Sequence, residues 1–434
     1  MYRKSFVRAS ALRIAALAAA VLAALASSPT ARAAPAYKVL YSFCVGGCGT
    51  GYLSPANLLQ DGAGNLYGIT YDGGSGDSGV VFELVKSGQD WSYKVLYNFC
   101  SKSGCADSGR PTGSLVIDAD GNLYGTTSAG GAFGYGTAFE LVANAGAFDL
   151  VTLYDFCSQA NCTDGREAPG ALSYRGQESG MPYDGVSPLY GTTELGGAHG
   201  RGLAFQLTSV EGKTTRKLKA IYDFCAQQNC TDAGRPKDLK IDGAGNLYGT
   251  TREGGASGRG TVFKLSPKKK GFNESVLYSF CAKANCVDGS IPNSGLAIDA
   301  SGNLFGTTQS GGDFNTGTVF KLVPKHEDPE ETVLHSFCAE GGCPDGREPK
   351  PELTIDANGN LFGTTRLGGA FADGALFRVK GTKYKVLYDF CAEGGCPDGG
   401  SPYAGVIVDG SGNLFGTTVG GGATGHGTMF ELTP

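Results

Sequence analysis

Along most of this chain, apolar residues come in short bursts separated by glycine-rich turns. Residues 114–157 show the pattern: the bursts SLVID, NLYGTT, GTAFELV and LVTLYDFC are rich in Val, Leu, Tyr, Phe and Thr and are bounded by Gly, Asp or Asn. Strand-length runs of β-branched and aromatic residues with such punctuation predict four β-strands. The step Asp-x-x-Gly-Asn between the first two predicts a tight hairpin. No stretch beyond residue 33 carries the apolar stripe of an amphipathic helix.

The same block returns. DADGNLYGTTSAGGAFGYGTAFEL starts at Asp118, and close copies start at Asp61, Asp242, Asp299, Asp356 and Asp409. Fourteen cysteines fall into seven pairs: Cys44 with Cys48, Cys100 with Cys105, Cys157 with Cys162, Cys225 with Cys230, Cys281 with Cys286, Cys338 with Cys343 and Cys391 with Cys396. Successive pairs start 56, 57, 68, 56, 57 and 53 residues apart, and the long interval holds an insertion, SYRGQESGMPYDGVSP, in the third unit. Seven four-stranded antiparallel units of this period predict an all-β, seven-bladed β-propeller; a parallel β-helix is the structural rival. The chain ends with only three strands of its last unit, AGVIVD, NLFGTT and GTMFELT. YKVLYSFC, Tyr37 to Cys44, is expected to supply the fourth and close the ring without a free edge.

The pattern GNLYGTTxxGGxxxxGTVFKL with VLYSFC resembles the GloVer tandem repeat of exported bacterial proteins, over essentially the whole chain after the leader. That resemblance implies a secreted, propeller-like protein, often with a C-terminal surface-sorting anchor, and brings no catalytic residues. The end of this chain, FELTP, has neither a hydrophobic tail nor basic residues, which argues against that kind of anchoring.

The leader fits export. Arg3, Lys4, Arg8 and Arg13 precede an apolar run from Ile14 to Ala26, and Ala31 to Ala33 offers a small-residue cleavage site, so residues 1–33 read as a signal peptide and 34–434 as the propeller. The run is shorter than the roughly 20 residues a membrane span needs, and nothing comparable follows. A secreted, periplasmic or extracellular monomer without a transmembrane segment is expected. Losing Arg3, Lys4, Arg8, Arg13 and Arg32 takes the formal net charge from −5 to −10, which argues against nucleic acid as a partner. In an oxidising compartment each cysteine pair reads as a local disulfide, adding about 2 kcal/mol in the chain-entropy model. Structural zinc needs four ligands, which one pair cannot supply.

If the Asp-x-x-Gly-Asn turns lie on one rim, the double-glycine and cysteine loops emerge on the other. Two residues after the second cysteine stand Asp107, Asp164, Asp232, Asp288, Asp345 and Asp398, followed by Arg110, Arg166, Arg235 and Arg347 in four units. A ring of these side chains at the channel mouth would suit polar sugars, or Ca²⁺ as the one cofactor to consider. Alternatively, Asp before Gly is a turn former and Arg pairs with the Asp of the next blade. Recurrence in nearly every unit favours that scaffold role. Asp61, Asp118, Asp242, Asp299, Asp356 and Asp409 read as turn formers, and Phe99 and its equivalents as blade packing. The insertion offers Arg175, Glu178, Tyr183 and Asp184 for recognition or is a surface excursion.

No nucleophile elbow, HExxH helix or phosphate-cradling loop is present, and the four histidines, His199, His326, His335 and His426, stand apart. His335 takes the place of a tyrosine found in the other units and is expected to pack. The resulting reading is a binding or interaction module for polysaccharide or another exported protein. The alternatives are a carbohydrate-active hydrolase or lyase using rim carboxylates and a purely structural envelope protein.

Overall fold

In the second repeat, Leu123–Ala129 lies antiparallel between Val116–Ile117 and Thr137–Asn144, and the latter pairs outward with Ala147–Asp155. The inner, second, third and outer strands therefore follow chain order. This computed structural model describes residues 35–434 apart from positions 55, 326–328 and 351; the expected signal peptide and His326 lie outside the described residues. Seven antiparallel sheets of this kind form a seven-bladed ring, with no parallel coil of a β-helix. In the third blade the inner strand shrinks to one bridge, Ser173 to Tyr190. No helix among the described residues is long and apolar enough to cross a membrane.

The seventh blade is completed from the other end of the chain. Ala36–Ser42 pairs with Thr428–Thr433, and Phe43 N donates to Gly427 O at 3.0 Å, the bond Phe99 N makes to Gly79 O within the first blade. The N-terminal strand thus takes the outer-strand register of every other blade.

What joins the blades is a contact between phenylalanines. The Phe ending each outer strand packs on the third-strand Phe of the next blade: Phe99 on Phe139, Phe156 on Phe205, Phe224 on Phe263, Phe280 on Phe320, Phe337 on Phe377 and Phe390 on Phe430, with centroids 5.0–5.4 Å apart. Phe43 on Phe82, at 5.9 Å, closes the circle. All fourteen rings are fully buried. Each third-strand ring meets the glycine of its own blade's LYG or LFG step. A Cβ on Gly68, Gly125, Gly191, Gly249, Gly306, Gly363 or Gly416 would come 2.4–2.7 Å from that ring, so the glycine is required for space. The paired threonines that follow divide two tasks. Thr127 Oγ1 accepts from Thr137 N at 2.9 Å inside the blade, while Thr126 Oγ1 donates to Gly170 O of the next at 2.8 Å.

Farther out the interfaces differ. Tyr37 stacks on Tyr388, Tyr93 on Tyr41 and Tyr384 on His335, at 3.8–4.1 Å. The equivalent residues on both sides of the fourth blade's outer strand are acids. Glu274 faces Tyr222 and Asp232, and Glu331 accepts from Tyr278 Oη at 3.4 Å and Lys283 Nζ at 2.9 Å. Burial, with the nearby Asp232 charge, raises the Glu274 carboxyl to about 7 against the lowering effect of Tyr222. Burial likewise moves Glu331 up, opposed by Lys283.

A carboxyl whose folded pKa exceeds its unfolded one contributes most stability below the unfolded value, and that contribution falls away as pH rises through about 7. Glu274→Gln is therefore expected to stabilise the protein by about 1–2 kcal/mol at pH 8, a figure already reduced for solvent contact, with little effect at pH 5. Urea denaturation of both proteins at the two pH values tests this; an equal shift at both would contradict it.

Candidate functional site

The cysteine and double-glycine loops share one rim, as Gly131 N bonding to Cys105 O at 3.0 Å illustrates. On the other rim the Asp-x-x-Gly-Asn turns consume their own carboxylates. Asp118 Oδ1 accepts from Asp120 N and Asn122 N, and Oδ2 from Asn122 Nδ2 and Tyr124 Oη, all at 2.9–3.0 Å.

All seven cysteine pairs are disulfides. Behind six of them the Asp of the loop folds inward. Asp107, Asp164, Asp232, Asp288 and Asp398 are 0–4% exposed. Each accepts from a tyrosine hydroxyl of the preceding outer strand at 2.7–2.9 Å: Tyr97, Tyr154, Tyr222, Tyr278 and Tyr388. Each also accepts a backbone N–H just after the first cysteine, at 2.8–2.9 Å. Asp345 accepts from Cys338 N and meets His335 Nε2, at 3.0 Å, where its sisters meet tyrosine. Burial pushes the Asp345 carboxyl up, but the His335 and Cys338 bonds together hold it below the usual range. In the first loop Thr50 Oγ1 takes the aspartate's place, accepting from Cys44 N at 3.3 Å.

The expected pairing of each arginine with the Asp of the next blade is not seen; Arg110 and Arg166 reach the previous blade, and Arg235 reaches both the previous blade and its own. Arg110 lies 4.0 Å from Asp72 and over the Tyr71 ring, Arg166 lies over Tyr135, and Arg235 sits 3.8 Å from Glu194 and 3.4 Å from Glu253. Arg347 is exposed at the start of the short strand Arg347–Pro349. These residues form a buttress around the rim rather than a ring of ligands at the axis.

The axis is lined by a position that sequence reasoning passed over, the residue before the conserved apolar residue of each inner strand. It reads Asn57, Ser114, Ala171, Asp238, Gly295, Glu352 and Gly405 around the ring. Here otherwise similar repeats diverge, and that divergence was the available signal. Asn57 N donates to Ser114 Oγ at 3.1 Å, and Asn57 Oδ1 accepts from Gly405 N at 2.7 Å. Asp238 Oδ1 accepts from Ala171 N at 2.6 Å. Glu352 Oε1 meets Lys240 Nζ at 2.7 Å, crossing past the fifth blade. Gly295 makes the room, since a Cβ there would lie 2.8 Å from Glu352 Oε2 and 3.1 Å from Asp238 Cβ. Burial raises both carboxyls, opposed at Asp238 by Ala171 N–H and at Glu352 by Lys240; burial also presses Lys240 down, but Glu352 outweighs it and the ammonium ends above its usual value.

Above this pair, on the cysteine rim, lies a polar hollow of about 230 Å³. Asn293 lines it with a buried Oδ1 that has no partner, and Lys350 lies 4.8 Å from the centre of the Tyr403 ring. Tyr71 is shared with two flanking hollows. One, about 460 Å³, runs past Arg110 and Tyr135, and the other, about 340 Å³, past Arg366 and Tyr403.

On the opposite rim the insertion is docked. Tyr183 is 1% exposed, packs edge-on to Tyr124 and Tyr174, and accepts from Arg216 Nη1 at 2.7 Å, so it is unavailable for recognition. Asp184 accepts from Val186 N, Ser187 N and Ser187 Oγ. Arg175 bonds to Gly243 O, and Glu178 to Gly176 N. His335 packs as expected, His426 bonds to Thr424 O, and His199 is exposed.

The sequence profile of the Gloeobacter/Verrucomicrobia repeat matches residues 31–183 and 176–430. No curated protein matches the chain. Among solved structures, a putative 6-phosphogluconolactonase from Bacteroides uniformis aligns at 12% identity over 76% of this chain and 83% of its own, with a TM-score of 0.47. A putative oxidoreductase from Thermus thermophilus aligns at 18% identity over 74% and 96%, TM-score 0.40. Trypanosoma rangeli sialidase aligns at 10% over 92% and 58%, TM-score 0.42. At such identities and scores none of their chemistry transfers.

The loop geometry yields one expectation. Asp288→Asn, which withdraws the charge from a tyrosine hydroxyl and two N–H groups, should destabilise the fold by about 2–3 kcal/mol in urea unfolding. Unchanged stability would contradict the buttress role.

Proposed function

The chain belongs to the Gloeobacter/Verrucomicrobia repeat family, and we propose that it is an exported binding module that holds an extracellular polysaccharide across its cysteine-loop rim. Export is supported by the leader pattern and by seven disulfides, which persist in oxidising compartments. The observation that carries the reading is Tyr71, a wall shared by three hollows of mixed polar and apolar lining. A polymer rich in hydroxyls and with apolar C–H faces suits such a surface. Tyr71, Tyr135 and Tyr403 contribute aromatic rings to the lining, while Asn57, Ser114, Asn293 and the axial carboxylates supply hydrogen-bonding groups. Arg110 over Tyr71 and Lys350 over Tyr403 favour a held ring orientation, which lowers the ordering cost of binding.

The second reading, a carbohydrate-active hydrolase, draws on Asp238 and Glu352. Two carboxyls flanking Gly295 beside the central pocket, both raised by burial, are the kind of pair that divides acid and base roles.

Affinity electrophoresis of the protein from residue 34 through gels containing neutral and acidic polysaccharides separates the readings. At least one polysaccharide is expected to retard it, and Tyr71→Ala with Tyr403→Ala should weaken that retardation by about tenfold or more without lowering the melting temperature. No retardation in any gel, or equal retardation of the variant, would overturn the proposal. Release of reducing ends, abolished by Asp238→Asn, would favour the hydrolase instead.

A further inference from the structure

The axial channel continues beyond the Lys240–Glu352 pair and opens on the opposite rim as a separate hollow of about 410 Å³. Its boundary with the central pocket is that ion pair, since Glu352 lines both spaces. Its walls include Ile298 and Ile355 from the inner strands of the fifth and sixth blades. Gln177 and Glu178, from the insertion of the third blade, also line it.

The insertion is anchored rather than draped. Tyr183, buried against Tyr124 and Tyr174 and bonded to Arg216, pins one arm, and Arg175 Nη2 bonds to Gly243 O of the fourth blade at 3.1 Å. Between them, the short turn Gln177–Ser179 is held by Gly176 N on Glu178 Oε2 at 3.0 Å and by Ser179 Oγ on Gly176 O at 2.9 Å. The one repeat that lost its tight turn has thereby placed a carboxylate at the mouth of the channel.

We propose that this hollow is a second ligand site, independent of the rim hollows, for a small organic ammonium with an apolar body. The volume falls within the roughly 300–1,000 Å³ of small-molecule pockets. Isoleucine walls suit an apolar body. Glu352 with Asp238 behind it, and Glu178 at the mouth, set three carboxylates against the ammoniums of Lys240 and Lys237, and a cleft focuses the one negative charge left over. An anion would have to displace Glu352 from Lys240 and pass Glu178, whereas a cation meets the Glu178 carboxylate at the mouth and finds Lys240 already paired with Glu352.

Calorimetric titration of the protein with benzylammonium, benzyl alcohol and benzoate, three probes of similar shape and different charge, tests this. Benzylammonium is expected to saturate and to bind about tenfold or more tightly than benzoate, with the alcohol between. Glu178→Gln, on an exposed turn, should weaken benzylammonium by about two- to fivefold with no change in melting temperature. Glu352→Gln, which leaves Lys240 unpaired, should turn the preference toward benzoate. Equal binding of the three probes, no saturation, or an ammonium affinity unmoved by Glu178→Gln would overturn the assignment whether or not Glu352→Gln folds. Loss of polysaccharide binding in the Tyr71 and Tyr403 variant leaves these titrations unaffected, so the two sites fail or stand separately.

Discussion

The contact between Phe99 and Phe139, repeated at each of seven interfaces, sets the geometry of this propeller. A blade has two faces to bury, and here each presents a phenylalanine at the end of its outer strand and receives one on its third strand. The Cζ end of the receiving ring lies against a glycine whose missing side chain leaves room for it. Substituting any of these glycines would overfill a site already packed to van der Waals contact. The first contact of the chain, Phe43 on Phe82, is chemically the same as the others, although it joins the N-terminal strand to the first blade. Closure is therefore one more copy of an interface that occurs six times elsewhere.

Because the repeated positions are occupied with holding the ring together, chemistry has to sit where the repeats disagree. The cysteine-loop aspartates are tied to a tyrosine or histidine and to N–H groups next to the disulfide, and the turn aspartates to their own backbone. The inner-strand position that reads Asn57, Ser114, Ala171, Asp238, Gly295, Glu352 and Gly405 is free to vary: Asn57 and Asp238 bond neighbouring blades, while other blades place a small residue there. Its seven residues meet only at the axis. There, small residues in some blades create the space that the long charged ones in others fill, Gly295 beside Asp238 and Glu352 being the clearest case. The same logic applies on the two sides of the fourth blade, where Glu274 of that blade and Glu331 of the fifth replace stacked rings and make two interfaces sensitive to protonation.

What was legible in the sequence was what is local or repeated. Strand order, the seven-fold count, the supply of the last strand by Tyr37 to Cys44, and the packing of Phe99 and His335 all follow from periodic spacing within one unit. The axial site was not legible, because Asp238 and Glu352 are separated by two repeats and come together only when the ring closes. The direction of the arginine contacts was misjudged for a related reason. Arg110 leans on Asp72 of the preceding blade and Arg235 on Glu194 of the preceding blade and Glu253 of its own, and repeat spacing does not say which neighbour lies within reach. Tyr183 looked available because its sequence neighbours are polar, yet its burial depends on Arg216, from a strand of the same blade, and on Tyr124 of the blade before.

The claim that the phenylalanine contact is equivalent at all seven interfaces, the seam included, is tested most directly by urea unfolding of Phe43→Ala beside Phe224→Ala. Equivalence predicts that each substitution destabilises by about 3–5 kcal/mol and that both proteins still unfold in one transition with the parent's slope. A Phe43→Ala protein that loses less than about 1 kcal/mol, or whose terminal blades unfold in a separate earlier step, would contradict it.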